Sequence, residues 1–323
     1  MHIEKWISVL ATLAVLILLY GFGAVEYPHF ASTLVLGNLL TDNAFVIIAG
    51  VGMTLVILTG GIDLSVGSMI AFVGVLTATL VTQYHWHPLY AIILALMVST
   101  AVGGLMGYLI DAFDLQPFII TLAGMFFLRG LAFVINLQSV PISHPFVSAI
   151  SEFAIPLPGR GWLTSSAIAM LIVLALGIYL AHYTRFGNNV YAIGGDRASA
   201  ELLGVPIRKT LVSVYAFSGF TSGMAGIVYT FYTSSGYPLA AMGVELDVIA
   251  SVVIGGTLLT GGVGFVIGTL LGGLIQGVIQ TIIVFDGTLN SWWTKMVIGF
   301  LLFIFIVLQR LLTRSFGVAE KPA

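Results

Sequence analysis

Long apolar segments, separated by short polar ones, repeat along the whole chain. Ten such segments are found at residues 6–25, 44–60, 65–82, 89–110, 117–135, 163–181, 211–232, 248–259, 263–285 and 296–308. A helix needs about 20 residues to cross the ~30 Å hydrocarbon layer of a bilayer. The pattern therefore predicts an all-α polytopic membrane protein with about ten transmembrane helices, some of them short or interrupted.

The composition agrees with this prediction. Hydrophobic residues make up 59% of the 323 residues and charged residues only 7%, whereas a soluble domain carries about 25% charged residues. A soluble globular protein is therefore excluded, and the chain has no stripe of basic residues that would bind a nucleic acid. Because no small-residue cleavage site follows the first apolar segment, we expect it to be a retained span rather than a signal peptide.

The few basic residues predict the orientation of the helices. Lys5 precedes the first apolar segment, four basic residues lie in the loop 183–210, and three more lie between 310 and 321. Because cytoplasmic loops are enriched in Lys and Arg, all three regions are predicted to be cytoplasmic. Two cytoplasmic termini require an even number of spans, which ten satisfies, and the loop 137–162 then lies outside.

The tetrapeptide LTGG occurs twice, at 58–61 and at 259–262. Each copy lies in an apolar region of similar length, 44–80 or 248–285. A straight helix of about 37 residues would be about 55 Å long, nearly twice the hydrocarbon thickness. Each region is therefore predicted to fold into two helices that are joined at the glycines.

The repeat also predicts how the chain is organised. Residues 1–323 are expected to form a single transmembrane domain with two related halves, at about 30–182 and 211–315, joined by the loop 183–210. The two interrupted helix pairs lie six predicted spans apart and so have the same orientation. Interrupted segments at corresponding positions of two halves are typical of proteins that provide a transport pathway.

Small and amide side chains recur every four residues in the second helix pair, at Gly264, Gly268, Gly272, Gln276 and Gln280. Residues at this spacing share one ridge of a helix, where glycines allow two backbones to approach closely and amides can bond to a neighbouring helix. Two interpretations remain open: a tight seam between helices, or a stripe that lines the path of a solute, especially at the glutamine end.

The first glycine pair is followed by Asp63, the only ionisable residue between 44 and 80, and then by Ser65. Side chains of both types cap the free N–H groups at the start of a helix. One hypothesis is that Asp63 or Ser65 caps the helix after the glycines and contributes to the shape of a gate. The other is that Asp63 binds the solute.

Arg129 lies near the middle of the apolar segment 117–135. An arginine at this depth costs about 2.5–3.5 kcal/mol on membrane-insertion scales, so its side chain is expected to face protein or water rather than lipid. It could contact a carboxylate, for which Asp63 is one choice, or the carbonyl groups of a helix. Alternatively, it lines the solute path.

Two acidic residues, Glu245 and Asp247, begin the second helix pair. Acidic side chains at this position can cap a helix N-terminus and complement its dipole. In an ion-coupled carrier they would instead relay protons. The position alone leaves both interpretations open.

Motifs of catalysis are missing from the sequence. The chain has no H-E-x-x-H, no G-x-S-x-G and no phosphate-binding G-x-x-x-x-G-K-[ST] pattern. We therefore expect no catalytic residues and no metal site. If transport requires ATP, another polypeptide must supply the ATPase.

The longest polar segment, 184–210, reads TRFGNNVYAIGGDRASAELLGVPIRKT. Gly194, Gly195 and Asp196 predict a turn followed by a helix N-cap, and the next residues predict about two helical turns that end at Gly204 and Pro206. A short helix between two spans could dock onto a soluble partner. It could equally lie at the membrane surface, held by lipid headgroups.

Four segments, in the same order, resemble the permease subunits of bacterial ABC sugar importers of the ribose, xylose and galactoside branch. They are GGIDLSVGS at 60–68, PFIITLAGMFFLRG at 117–130, RFGNNVYAIGGDRASAELLGV at 185–205 and GVELDVIASVVIGGTLLTGGVGFVIGT at 243–269. The chain has Ser199 where members of the family often have Ala. Within the branch, 255–264 and 286–310 look most like a galactofuranose permease, which works beside a second, related permease.

The resemblance implies a transport subunit of the bacterial inner membrane that is not itself an enzyme. Its partners would be a second permease subunit, a periplasmic sugar-binding protein that docks near 137–162 and 233–247, and a cytoplasmic ATPase with nucleotide-binding domains. ATP and Mg would be used by the ATPase, and this chain would bind no cofactor. The residues implied to couple to the ATPase are Gly194, Gly195, Asp196, Ala198, Ala200, Glu201 and Gly204.

Two other functions compete with this one. An ion-coupled secondary transporter of a small polar solute is disfavoured by the coupling motif and by the lack of a chain of buried acids. An intramembrane enzyme is disfavoured by the missing catalytic motifs.

Overall fold

The computed structural model describes residues 3–315, which form fourteen helices and four very short strands. The helices are α1 Ile3–Glu26, α2 Thr33–Asp42, α3 Ala44–Leu58, α4 Val66–Thr82, α5 Pro88–Ala112, α6 Pro117–Ile135, α7 Pro145–Ser151, α8 Ser165–Tyr183, α9 Arg185–Gly195, α10 Arg197–Leu202, α11 Ile207–Thr233, α12 Val244–Ile254, α13 Val266–Asp286 and α14 Ser291–Ser315. The strands are β1 Val140–Pro141, β2 Ala154–Pro156, β3 Trp162–Thr164 and β4 Ser235–Gly236.

Each of the ten apolar segments coincides with one helix, which confirms an all-α architecture. Within the described residues, six helices are long and apolar enough to cross a membrane, and α2 with α3 forms a further pair bent by 52°. Val66–Thr82 and Trp292–Val307 are shorter apolar helices. Ten spans, two cytoplasmic termini and two related halves stay predictions. Lys321 lies outside the described residues.

The centre of the molecule is α11, which packs against α5, α3 and α4. Small residues make this possible. A Cβ atom at Gly103 of α5 would overlap the carbonyl oxygen of Tyr215 in α11, and one at Gly219 of α11 would overlap that of Ser99 in α5. The two backbones are therefore in direct contact, as in other close helix pairs of membrane proteins.

The molecule has two distinct ends. We call the end that carries α9, α10 and the α5–α6 connection, residues 113–116, the basic end. The opposite end, which we call the hairpin end, consists of 136–164 and 234–243. There β1 pairs with β4, with Val140 opposite Gly236 and Pro141 opposite Ser235, and β2 pairs with β3.

Both LTGG regions are interrupted as predicted. Break 1, residues 59–65, joins α3 to α4, and break 2, residues 255–265, joins α12 to α13. Several glycines in the breaks adopt the left-handed backbone conformation that other residues avoid. They are Gly60 in break 1 and Gly256, Gly261, Gly262 and Gly264 in break 2.

Candidate functional site

The two breaks contact each other directly. The backbone N–H of Gly262 donates a hydrogen bond of 2.9 Å to the carbonyl oxygen of Leu58. A Cβ atom at Gly261 would lie 2.8 Å from the nitrogen of Gly60. The two breaks are about 200 residues apart in the sequence, yet their backbones are in direct contact. We call this contact region the break junction.

The C-terminal turn of α9 packs into the same junction. A Cβ atom at Gly194 would overlap the carbonyl oxygen of Leu58 and would lie 2.5 Å from the nitrogen of Gly262. The hydroxyl of Tyr191, one turn earlier, donates a hydrogen bond of 2.7 Å to the carbonyl oxygen of Gly264. Burial raises the pKa of this hydroxyl, so it stays protonated as a donor. Thus α9 contacts break 2 and Leu58, the last residue of α3 directly before break 1.

Asp63 fixes the shape of break 1. One carboxylate oxygen accepts hydrogen bonds from the backbone N–H and the hydroxyl of Ser65, at 2.9 and 2.6 Å, and the other accepts from the hydroxyl of Ser218 in α11, at 2.7 Å. The side chain is buried. Asp63 thus fixes the backbone directly before α4 and ties it to α11, but its partner Ser65 is the N-cap residue, so the bond does not cap the first turn of the helix. The prediction that Ser65 caps α4 is wrong, because the Ser65 side chain makes no cap bond and its hydroxyl donates to Asp63 instead.

Arg129 does not pair with Asp63 or with helix carbonyls. Its Nη1 atom donates hydrogen bonds of 2.6 and 2.8 Å to the carbonyl oxygens of Pro238 and Ala240. These two residues belong to the non-helical segment between β4 and α12. The structural interpretation of Arg129 is therefore supported, but with a different partner: the arginine holds a loop in place.

Glu245 and Asp247 both lie in the first turn of α12, where their charge favours the helix dipole. Neither caps the helix, because its N-cap residue is Gly243 and no side chain bonds there. The Oε2 atom of Glu245 is buried against Gly67, without a hydrogen-bond partner among the described residues. Asp247 forms an ion pair with Lys295 of α14, at 2.6 Å for one oxygen.

The small-residue ridge of α13 is a helix seam. Cβ atoms at Gly268 and Gly272 would overlap the carbonyl oxygens of Gly255 and Ser251. Gln276 is buried and its amide donates to the carbonyl oxygen of Asp247 at 3.0 Å.

The first and last residues of the ridge, Gly264 and Gln280, are not part of this seam. Gly264 lies in break 2, not in the helix. Gln280 is exposed and lines a small cavity of 180 Å³ together with Asn38 and Asp42. A solute-lining role for this end stays a prediction.

The coupling segment forms two helices. Gly194 and Gly195 are the last residues of α9 rather than a turn, because this helix, Arg185–Gly195, extends to Gly195. Asp196 is the N-cap of α10, as predicted, and accepts from the N–H of Ser199 at 2.8 Å. Gly204, at φ 79°, follows the end of α10.

One face of α10 is buried and the other is exposed. Ala200 packs inward, whereas Ala198 and Glu201 are exposed. Beyond them, Leu202 is 90% exposed and Leu203 is 83% exposed. Two nearly bare leucines at the basic end are the kind of anchor that a partner protein covers.

Sequence reasoning missed Asp111, at the end of α5. Its carboxylate binds Arg197 of α10 at 3.1 Å and Arg208 of α11 at 2.9 Å, and Asp114 lies 3.7 Å from Arg197. The signal was present, because an acid at the end of an apolar segment would face the arginine-rich loop at the same end. These ion pairs connect α10 to the transmembrane bundle.

These features define the class: a polytopic helical membrane protein in which two interrupted helix pairs meet a short helical element at one end. The chain belongs to the family described as "Branched-chain amino acid transport system / permease component", which matches residues 35–306. No solved structure matches the chain.

Three relatives illustrate the similarity. The inner membrane ABC transporter permease protein YjfF of Escherichia coli is 55% identical, over 96% of this chain and 94% of that protein. The fructose import permease protein FruG of Bifidobacterium longum is 37% identical, over 95% and 92%. The ribose import permease protein RbsC of E. coli is 36% identical, over 83% of each. The resemblance to permeases of ABC sugar importers and the inner-membrane location are thus confirmed.

Proposed function

We propose that this chain forms, together with a second related permease, the path by which a monosaccharide crosses the inner membrane, driven by ATP hydrolysis in a partner. The family and its sugar-importing relatives support the class. Galactofuranose is the specific sugar proposed, from the likeness of 255–264 and 286–310 to a galactofuranose permease. The observation that carries the mechanism is the contact of α9 with Leu58, directly before break 1, and with Gly262 in break 2.

The proposed partners occupy opposite ends of the molecule. The ATPase docks on the exposed face of α10, where Leu202 and Leu203 insert into it. The sugar-binding protein docks at the hairpin end, near 137–162, where β1 pairs with β4. Most of 233–247, which the sequence also assigned to this surface, lies along α4 inside the bundle instead. This chain binds no cofactor itself, and the ATPase uses ATP and Mg.

The geometry suggests how ATP hydrolysis acts on the path. A movement of α10 displaces α9, which directly precedes it in the chain. Because Gly194 touches Leu58 and Gly262, a displaced α9 shifts the two breaks against each other. The hydrogen bond between Gly262 and Leu58 is then the contact that opens and closes the basic end of the path.

Two neighbouring glycines test this mechanism. A Cβ atom at Gly194 would clash with the break junction, whereas one at Gly195 meets nothing within 4 Å. In proteoliposomes with the complete importer, we expect Gly194→Ala to reduce ATP-driven sugar import about tenfold or more, a barrier change of about 1.4 kcal/mol. Gly195→Ala retains most of the import. Equal import by both variants contradicts the proposed route of coupling.

Proteoliposomes also separate the proposal from its rival. If this chain alone imports a solute on a proton or sodium gradient, without ATPase or binding protein, it is a secondary transporter and the proposal is wrong. Import that requires all partners and ATP supports it.

A further inference from the structure

A cavity of 540 Å³ lies at the hairpin end, between the start of α3, the end of α11 and the segment 235–244. Ligand cavities of this kind have volumes of about 300–1,000 Å³. The side chains that line it belong to aromatic, hydroxyl-bearing and aliphatic residues, and none of these described lining residues is Asp, Glu, Lys, Arg or His. Such a cavity suits a neutral polar solute better than an ion.

The segment that forms one wall of the cavity reaches deep into the bundle. A Cβ atom at Gly236 would overlap the carbonyl oxygen of Gly74, and one at Gly67 would lie 2.6 Å from that of Ala241. At 1.5 Å per residue, Gly74 and Gly67 are about 12 and 22 Å from the end of α4. The segment from Gly236 to Ala241 therefore descends along α4 to the middle of a ~30 Å hydrocarbon layer.

Non-helical backbone at this depth is found only in particular surroundings. Within a membrane, it is tolerated only where it is buried in protein or lines a water-filled cavity. Tyr237, Leu239 and Met242 of this segment are 40, 41 and 66% exposed, so the segment is not fully buried. It lines the cavity instead, so the cavity opens at the hairpin end and one of its walls extends toward the midplane, where transporters bind their solutes.

The walls of the cavity are held in place before any ligand arrives. Arg129 fixes Pro238 and Ala240 from α6. The pairing of β1 with β4 fixes Ser235, and it holds Ser139, the residue before β1. The rings of Phe45 and Tyr229 meet edge to face with centroids 4.9 Å apart.

The chemistry of the wall matches a sugar. A monosaccharide presents C–H faces that stack on aromatic rings, and hydroxyl groups that exchange hydrogen bonds with other hydroxyls. Tyr229 and Tyr237 supply rings, while Ser139, Thr233 and Ser235 supply hydroxyls. The Thr233 hydroxyl donates to backbone carbonyl oxygens, so its own lone pairs can accept from a sugar hydroxyl.

We infer that this cavity is a transit site for a neutral monosaccharide, in which Tyr237 stacks on the sugar and Arg129 is a positioning residue for the wall. The inference rests on the proposed function. In the importer, the sugar released by the binding protein enters this cavity before it reaches the break junction.

Cysteine labelling tests the site in the intact importer, because this chain has no native cysteine. Proteoliposomes containing both permeases, the ATPase and the binding protein are first assayed with labelled D-ribose, D-fructose and D-galactose. Ser139→Cys is then compared before and after treatment with a membrane-impermeant thiol reagent. Gln83→Cys, exposed at the same end but outside the cavity, is the control, and treated wild-type importer accounts for cysteines of the partners.

We expect the reagent to reduce import by Ser139→Cys about tenfold and to leave Gln83→Cys unaffected. Stimulation of ATP hydrolysis by the binding protein should persist in the labelled variant, because docking is intact. Independently, Tyr237→Ala should reduce import about tenfold and Tyr237→Phe much less, because the phenyl ring retains the stacking surface.

The possible failures are distinguishable. If the wild-type importer transports none of the three sugars, the proposed function fails. If it transports one of them while labelled Ser139→Cys and Tyr237→Ala both import normally, only the transit site is overturned. Loss of stimulation on labelling would show that Ser139 belongs to the docking surface, which also overturns the site.

Discussion

The two breaks carry the same LTGG tetrapeptide, yet different forces hold them. Break 1 is shaped by a buried acidic side chain, because Asp63 binds Ser65, two residues further along the chain, and Ser218 on the central helix. Break 2 has no ionisable side chain and depends on four glycines in the left-handed conformation. It is also the longer of the two.

The difference suggests a division of roles. Break 1 is tied to α11 by the Asp63 side chain, which accepts three hydrogen bonds, and it therefore serves as a reference. Break 2 is held by backbone conformation, by its bond to Leu58 and by α9. We therefore expect break 2 to move during transport and break 1 to keep its shape.

The largest expected effect comes from removing the anchor of break 1. Asp63→Ala leaves the buried donors of Ser65 and Ser218 without their acceptor, at a cost of about 1–3 kcal/mol for each unpaired group. We expect the midpoint of thermal unfolding in detergent to fall by several degrees, at roughly 2–4 °C per kcal/mol, and import to be lost.

Asp63→Asn is the matched variant, because it retains the shape and one acceptor oxygen. It should unfold between the wild type and Asp63→Ala. Wild-type stability of Asp63→Ala would show that the carboxylate does not hold break 1.

A smaller loss of import should distinguish a glycine of break 1 from a glycine of break 2. Gly60 and Gly262 both have a positive φ, 81° and 73°, which costs another residue about 1–2 kcal/mol. Only at Gly262 would the added Cβ meet α9, 2.9 Å from the nitrogen of Gly195; at Gly60 the nearest atom is 3.6 Å away.

We therefore expect Gly262→Ala to reduce ATP-driven import about tenfold, and Gly60→Ala to reduce it less. Import is measured in proteoliposomes after assembly of the complex is verified by co-purification. A stronger loss in Gly60→Ala would reverse the roles assigned to the two breaks.

The smallest expected effect has the opposite sign. The Oγ1 atom of Thr257 in break 2 is buried and has no hydrogen-bond partner among the described residues, whereas Ser218 is bonded to Asp63. Thr257→Val should stabilise the protein by roughly 1 kcal/mol, because it removes an unpaired polar atom. Ser218→Ala, its counterpart at break 1, should destabilise it. The midpoints of thermal unfolding of both variants show whether buried polar side chains stabilise break 1 but not break 2.

Much of the fold was predictable because it depends on local composition. Apolar length located ten of the fourteen helices, and the length limit of a membrane span required the turns at both LTGG sequences. The N-cap role of Asp196 and the local bonds of Asp63 were predictable for the same reason, since their partners lie within three residues.

What was missed depends on contacts between distant segments. Arg129 binds carbonyl groups more than 100 residues away, and any backbone carbonyl would serve equally well. No sequence pattern distinguishes those of Pro238 and Ala240. The contact of Gly194 with Leu58 and Gly262 likewise cannot be predicted from the sequence. It depends on the lack of a side chain at Gly194, and a glycine alone does not indicate which segment packs against it.

That absence has a mechanical consequence. Where side chains separate two segments, a small displacement is absorbed by rotamer changes and goes no further. At Gly194 the backbone of α9 contacts the backbone of Leu58, directly before break 1, and of Gly262 in break 2, so no layer of side chains lies between them. The junction should therefore be rigid, so that a displacement of the basic end is transmitted to the breaks almost in full. A side chain at this position would absorb part of that displacement.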